Sequence, residues 1–238
     1  MRDVTIDIES MLRFDEAVDS MLDPESGLSG FLVAHGQAGR GKTVAAQRYH
    51  VSRGKSVYLD VMENWSQTAF LRELLYEVKG ANGDKPRYNK DRCKDMIIAL
   101  LKNKRMAIIV DEADRLSEER IEDLRDISKR TGAAIVFVAE EDIFGLLSGR
   151  RRFWSRVVYE IEFGPINAAE VAVYAMKAAG LDIPAEQCRT IATRAEGDFR
   201  LVRNMMLAVE RAAKAAGTFK VDADMLETAL ATRTWRRG

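Results

Sequence analysis

The stretch Gly36-Gln37-Ala38-Gly39-Arg40-Gly41-Lys42-Thr43 decides the fold. Immediately before it, Phe31-Leu32-Val33-Ala34 is a short apolar strand. Immediately after it, Thr43 to His50 reads as a helix closed by Ser52-Arg53-Gly54. Glycines between a strand and a helix leave the backbone free to curl, so successive N–H groups converge on phosphate oxygens. Lys42 adds a mobile positive charge for β- and γ-phosphates, and the Thr43 hydroxyl is placed to ligate Mg²⁺. Gly36 through Val44 are therefore the expected nucleotide cradle.

Working outward, the next carboxylates follow the most apolar strand, Met106-Ala107-Ile108-Ile109-Val110, as Asp111-Glu112. A strand end beside a phosphate loop is where metal-holding carboxylates belong. Asp111 is expected to hold Mg²⁺, directly or through water, and Glu112 to polarise an attacking water. An adjacent Asp-Glu pair points to hydrolysis rather than to nucleotide storage.

Other polar positions carry open alternatives. Glu140 ends a fourth strand, where it either senses the γ-phosphate or caps a helix with Glu141 and Asp142. Arg156 precedes a fifth strand and could reach a phosphate in its own subunit or a neighbour's. Arg152 competes with it, and solvated surface arginine is the plain reading for Arg150 and Arg151. Arg200 opens a helix after Gly197-Asp198, poised either to meet the nucleotide or to pair with Asp198. His35 adjoins the phosphate loop, and His50 is a helix-end residue.

Length and composition set the frame. The 238 residues suffice for one domain and a smaller appendix. Lys plus Arg and Asp plus Glu each count 37, so any nucleic-acid contact must come from a local patch. Cys93 and Cys188 lie far apart without metal-ligand spacing, and both read as buried apolar residues. No apolar run reaches membrane-spanning length and no secretory leader is evident, which reads as a cytoplasmic chain without a membrane partner.

Periodicity completes the outline. Helices are expected over Ile6 to Met21, from a Ser66 cap to Val78, over Arg92 to Leu101 and over Ser117 to Arg130. Strands are expected at 56–61, 106–110, 133–139 and 157–163, with one helix and the basic run Arg150-Arg151-Arg152 between the last two. Residues 79–89 lack periodicity. After Gly164-Pro165 only helices remain, over 167–179, 184–195, 199–215 and 222–232. The expected fold is α/β, with a five-stranded mostly parallel sheet in residues 1–164 and a small helical lid in residues 165–238.

With these parts in place, the sequence resembles AAA+ ATPases of the phage Mu transposition protein B group, whose kin include TniB, TnsC and ExeA-type ATPases. The likeness rests on GQAGRGKT at 36–43, VYLDV at 57–61, WSQTAFLRELL at 65–75 and IIVDEAD at 108–114. It continues through IVFVAEEDIF at 135–144, RRFWSRV at 151–157 and EGDFRLVRN at 196–204. The resemblance implies that Lys42 and Thr43 are the Walker A pair, and Asp111 and Glu112 the Walker B pair. Glu140 matches the first sensor position, where relatives often carry a small polar residue. Arg156 matches an arginine presented to a neighbour's nucleotide, and Arg200 the second sensor arginine of the lid.

The same resemblance implies ATP and Mg²⁺ as cofactors and slow hydrolysis stimulated by assembly. Its members form an ATP-dependent filament or ring on double-stranded DNA and deliver that DNA to a transposase. Such proteins usually carry an N-terminal DNA-binding domain, for which the position of Gly36 leaves no room, so DNA contacts are expected from the ATPase domain. The candidates are Lys79, Lys85, Arg87, Lys90, Arg92 and Lys94, then Lys102, Lys104 and Arg105, with Arg233, Arg236 and Arg237 at the C-terminus. A solvated loop and helix face is the competing reading of these cations. A partner-remodelling ATPase related to secretion, or a nucleotide-gated assembly protein with little turnover, are the competing functions.

Overall fold

The computed structural model describes residues 1–2 and 4–231; Arg233, Arg236 and Arg237 lie outside the described residues. Five strands form one sheet: β1 (Phe31–His35), β2 (Ser56–Asp60), β3 (Ala107–Asp111), β4 (Ala134–Val138) and β5 (Val157–Glu162). Their order is β2-β3-β4-β1-β5, and every pairing is parallel, not merely most of them. Burial explains the apolar runs. Every residue of β1, β3 and β4 is buried, whereas the edge strands β2 and β5 keep exposed positions. A parallel sheet needs helices on both faces, and its central strands therefore lose the alternation of half-exposed ones.

Helices α1 (Glu9–Leu22), α2 (Lys42–Arg53), α3 (Gln67–Val78), α4 (Lys90–Leu101) and α5 (Glu118–Thr131) supply much of that cover. Local chemistry sets their ends. Ser66 accepts the Ala69 N–H to start α3, and Asn89 accepts the Arg92 N–H to start α4 two residues earlier than periodicity suggests. Gly132, at φ 76°, closes α5. The core between α3, α4, α5 and the sheet includes Phe70, Leu74, Ile97, Ile108, Val110, Leu124 and Phe137, all fully buried. Each such side chain contributes about 1.5–3 kcal/mol relative to exposure.

Residues 79–89, which lack periodicity, are nonetheless anchored. Arg72 donates to the carbonyls of Tyr88 (2.6 Å) and Arg87 (3.1 Å), and the Tyr76 hydroxyl donates to that of Ala81 (2.6 Å). Between β4 and β5 the chain forms two short helices instead of one, α6 (Ile143–Ser148) and α7 (Arg151–Trp154). The basic run thus opens α7. Arg150 pairs with Glu118 (2.8 Å) and Arg152 with Glu122 (3.3 Å), both on α5.

The chain divides into two compact units, one of residues 10–37 and 42–163, the other of residues 1–9, 38–41 and the described residues from 164 onward. The second contains α8 (Ala168–Ala179), α9 (Ala185–Arg194), α10 (Phe199–Ala215) and α11 (Ala223–Ala231). Asn167 and Glu170 form a reciprocal cap on α8. Tyr174, Ile191, Met205, Met206 and Val209 fill its core, to which Ile6 also contributes. Within it the Met1 ammonium lies 2.7 Å from Glu210, and the Arg2 N–H donates to the Ala178 carbonyl.

Candidate nucleotide site

The phosphate loop leaves β1 at His35 and enters α2 at Lys42. Gly36 is buried at φ 139°, and a Cβ there would stand 2.5 Å from the Phe163 carbonyl oxygen, so only glycine lets the loop start. Gln37 and Ala38 are exposed, as are Thr43 and Val44 at the head of α2. Lys42 is only 8% exposed. Its ammonium donates to the carbonyls of Gly36 (2.7 Å) and Gln37 (2.9 Å). Burial pushes its pKa down, opposed by the charges of Glu140, Asp111, Glu112 and Asp114 in that order.

Asp111 ends β3 and is 4% exposed. The Tyr58 hydroxyl donates to its Oδ2 (2.6 Å), and the Glu112 N–H donates to its Oδ1 (3.0 Å). Burial and the bond to Asp111 push the Tyr58 phenol well above its usual range, so it remains a donor. Glu112 has φ 55° and ψ 41°, a left-handed conformation costly for a side chain of this size. It pairs with Arg115 at 3.3 Å. Burial raises the Glu112 pKa, Arg115 opposes that, and Asp111, Asp114 and Asp60 add to it. Glu140 is exposed, with its N–H donating to Asp114 Oδ1 (3.3 Å). Asp142, at the start of α6, makes no capping bond.

This donor set fits Mg²⁺. No group of three or more His, Cys, Asp or Glu side chains among the described residues is arranged to hold a metal alone. Mg²⁺ is ordinarily held by one or two carboxylates plus phosphate oxygens and water, which Asp111 and Thr43 suit.

Arg156 occupies the opposite edge of the sheet. Its carbonyl accepts from the N–H of Phe31, the first residue of β1. The phosphate loop follows the last residue, about 13 Å away along the strand. Of its neighbours, Arg150 and Arg152 are tied to α5, as above. In the helical unit, Asp198 caps α10 by accepting the backbone N–H of Arg200 (2.7 Å). Arg200 is exposed, and no carboxylate among the described residues pairs with its guanidinium. The Phe199 N–H donates to the carbonyl of Gly39 (2.9 Å), and a Cβ on Gly39 would collide with the Asp198 carboxylate. Residues 38–41 are therefore held by the start of α10.

His35 is buried, edge-on to Phe144 at 4.7 Å between ring centres, with Nε2 3.2 Å from Glu160. His50 lies in the last turn of α2, its Nδ1 2.9 Å from the Ser56 hydroxyl. Cys93 and Cys188 are both buried free thiols.

The basic side chains separate into groups. Lys94 donates to Asp123 (2.9 Å) and Asp126 (2.8 Å) on α5. Lys85 is paired with Glu73, and Arg105 donates to the carbonyls of Asp23 and Pro24. Lys90 donates to Gln67, which sets the start of α4 beside the start of α3. Lys102 and Lys104 follow the other end of α4, about 18 Å along its axis. Lys79, Arg87, Arg92, Lys102 and Lys104 are exposed.

Tyr58, Asp60 and Asp114 join these surroundings without having been singled out from the sequence. The available signal was alternation: in Ser56-Val57-Tyr58-Leu59-Asp60, Tyr58 and Asp60 share a face, and β2 pairs Asp60 with Asp111.

Comparison with known proteins agrees with this geometry. A family model described as an AAA domain matches residues 26–147, just over half of the chain. The chain is 29% identical over 131 residues to a potential ATP-binding protein of Staphylococcus aureus, covering 51% of this chain and 48% of that one. It is 30% identical over 166 residues to Mu-like prophage FluMu DNA transposition protein B of Haemophilus influenzae, covering 66% of this chain and 56% of that one. The chain thus spans about half the length of the curated relatives it matches. Among solved structures, the Aeropyrum pernix ORC2 protein in its ADPNP–ADP complexes matches with TM-score 0.69 at 15% identity, over 97% of this chain and 70% of that one. That likeness is one of fold. From the loop at 36–43, the all-parallel sheet and the matched span, the chain belongs to the AAA domain family and is an AAA+ ATPase related to a transposition protein B.

Proposed function

We propose that this chain binds ATP with Mg²⁺, hydrolyses it slowly, and in its ATP-bound form assembles along duplex DNA and delivers that DNA to a transposase. The observation that carries the hydrolytic part is the buried Lys42 ammonium, bonded to the Gly36 and Gln37 carbonyls within a strand–loop–helix phosphate cradle, together with the buried Asp111 carboxylate at the end of β3 followed by Glu112. An arriving triphosphate offers Lys42 better acceptors than the carbonyls of Gly36 and Gln37, and a charged acceptor roughly doubles such a bond.

In this reading, backbone N–H groups from Gly36 to Val44, with Gln37, Ala38, Gly39, Arg40 and Gly41 between, orient the phosphates. Thr43 and Asp111 hold Mg²⁺, which when bound neutralises charge developing on the transferred phosphoryl group. Glu112 directs the attacking water, a contribution of about 10²–10⁴-fold in rate. Glu140 reports on the terminal phosphate. Arg156, at the amino edge of the sheet, serves a neighbouring subunit's nucleotide rather than its own, which couples turnover to assembly. Residues 165–238 act as the lid, with Arg200 its nucleotide-sensing arginine.

For DNA, the support is the similarity to a protein named for DNA transposition together with the exposed cations Arg87, Arg92, Lys102 and Lys104. Repetition of a weak patch along a filament gives avidity without a high net charge. The test is binding of the purified protein to mixed-sequence duplex DNA with ATP and Mg²⁺, followed by electron microscopy. Expected are filaments or rings only with ATP, and affinity falling steeply between about 50 and 200 mM salt. Nucleotide-independent or salt-insensitive binding overturns the DNA reading.

A further inference from the structure

We infer that Tyr58 is a positioning residue for the metal-holding carboxylate, linking the helix that carries Thr43 to Asp111 through a Gln47–Tyr58–Asp111 chain. The inference rests on the assignment of Thr43 and Asp111 to Mg²⁺ above. Gln47 lies four residues beyond Thr43 on α2, hence on the same face of that helix. Its Nε2 donates to the Tyr58 hydroxyl oxygen at 3.3 Å, and that hydroxyl donates to Asp111 Oδ2 at 2.6 Å. A phenol has one proton to give. With Gln47 on its acceptor side, the Tyr58 proton is committed to Asp111.

The carboxylate is fixed from both sides, since Oδ1 accepts the Glu112 N–H at 3.0 Å. An ionised carboxylate offers about four lone-pair positions, so two are taken and two remain for a metal ion or its water. Both hydrogen bonds set the plane of the carboxylate before any ion arrives. Groups that orient a metal ligand in this way change metal affinity by about 10–100-fold when removed, although they never touch the metal. The sheet supplies the placement: β2 lies beside β3 with Tyr58 opposite Ile109, so the ring reaches one alternate position along to Asp111.

The test is Tyr58→Phe, which removes one oxygen and keeps the ring. Affinity for a fluorescent ATP analogue is measured in EDTA and across a Mg²⁺ titration, alongside thermal melting, with Asp111→Asn measured in parallel. The expected result is unchanged affinity in EDTA and a half-saturating Mg²⁺ concentration raised about 10-fold or more. Gln47→Ala should move the same midpoint in the same direction by less. An unchanged Mg²⁺ midpoint in Tyr58→Phe, with or without a lower melting temperature, overturns the inference while leaving Asp111 in place if Asp111→Asn does shift it. If neither variant shifts the midpoint, the assignment of Asp111 to the metal fails and the inference with it.

Discussion

Lys94 separates a structural cation from a DNA-facing one, and replacing it with Met puts the distinction to the test. Its ammonium lies 2.9 Å from Asp123 and 2.8 Å from Asp126, and the Asp123 side chain is only 8% exposed. Removing one partner of a buried pair typically costs about 3–5 kcal/mol, because the other charge is left without compensation. Asp123 retains the Gln67 amide at 2.7 Å, and Asp126 is 30% exposed and retains Arg125. The loss should therefore fall at the lower end, about 3 kcal/mol, or a melting shift of about 6–12 °C for a domain of this size. Burial alone would raise the Asp126 pKa, but the hydrogen bond and charge of Lys94, joined by those of Arg125, outweigh it and hold that carboxyl below its ordinary range. A depressed carboxylate contributes stability that is complete above its unfolded pKa and lost as pH falls through the folded one. The gap between wild type and Lys94→Met should accordingly be full at pH 7 and narrow below about pH 4. Urea denaturation at both pH values measures it, and adding Asp123→Asn should recover part of the loss. A destabilisation below about 1 kcal/mol at pH 7, or weakened DNA binding with unchanged stability, would refute the argument.

Three further outcomes test other parts of the site. Glu112→Gln should keep nucleotide affinity within a few-fold and cut phosphate release by about 10²–10⁴, whereas unchanged release would leave a nucleotide-gated assembly with little turnover. Gly36→Ala should lower nucleotide affinity at least 10-fold and destabilise the fold by about 1–3 kcal/mol, since the added Cβ meets the Phe163 carbonyl at 2.5 Å; wild-type binding and melting would show that the loop can shift. Mixing Arg156→Ala, which keeps its own phosphate loop, with Lys42→Ala, which keeps its arginine, should restore turnover that each lacks alone, and no recovery would end the role proposed for Arg156 in a neighbour's site.

What could be read from the sequence follows from the range of the interaction responsible. The phosphate loop is local: glycine spacing, a strand before and a helix after are all within about ten residues on either side, and they lie where expected. The central strands announce themselves because full burial permits only apolar side chains. The Ser66 cap is equally local. By contrast, nothing in 56–60 reveals that β2 pairs with β3 rather than β1, so the reach of Tyr58 to Asp111 could not be derived. The left-handed backbone of Glu112 was equally hidden, because no glycine or asparagine marks it.

The charged residues make the same point with more consequence. A lysine reads identically in sequence whether it meets solvent, as Lys102 does, or is shared between two carboxylates on another helix, as Lys94 is. Only packing of α4 against α5 distinguishes them. The arginines before β5 divide in the same way: α5 engages Arg150 and Arg152, while Arg156 carries no such pairing and stands at the edge of the sheet remote from its own phosphate loop. The length of β1, about 13 Å, separates the Arg156 backbone from the phosphate loop of the same chain. In the proposed reading, catalytic use of Arg156 therefore falls to a second copy of the chain, and the mixture of Arg156→Ala with Lys42→Ala decides whether assembly is a requirement of hydrolysis or only accompanies it.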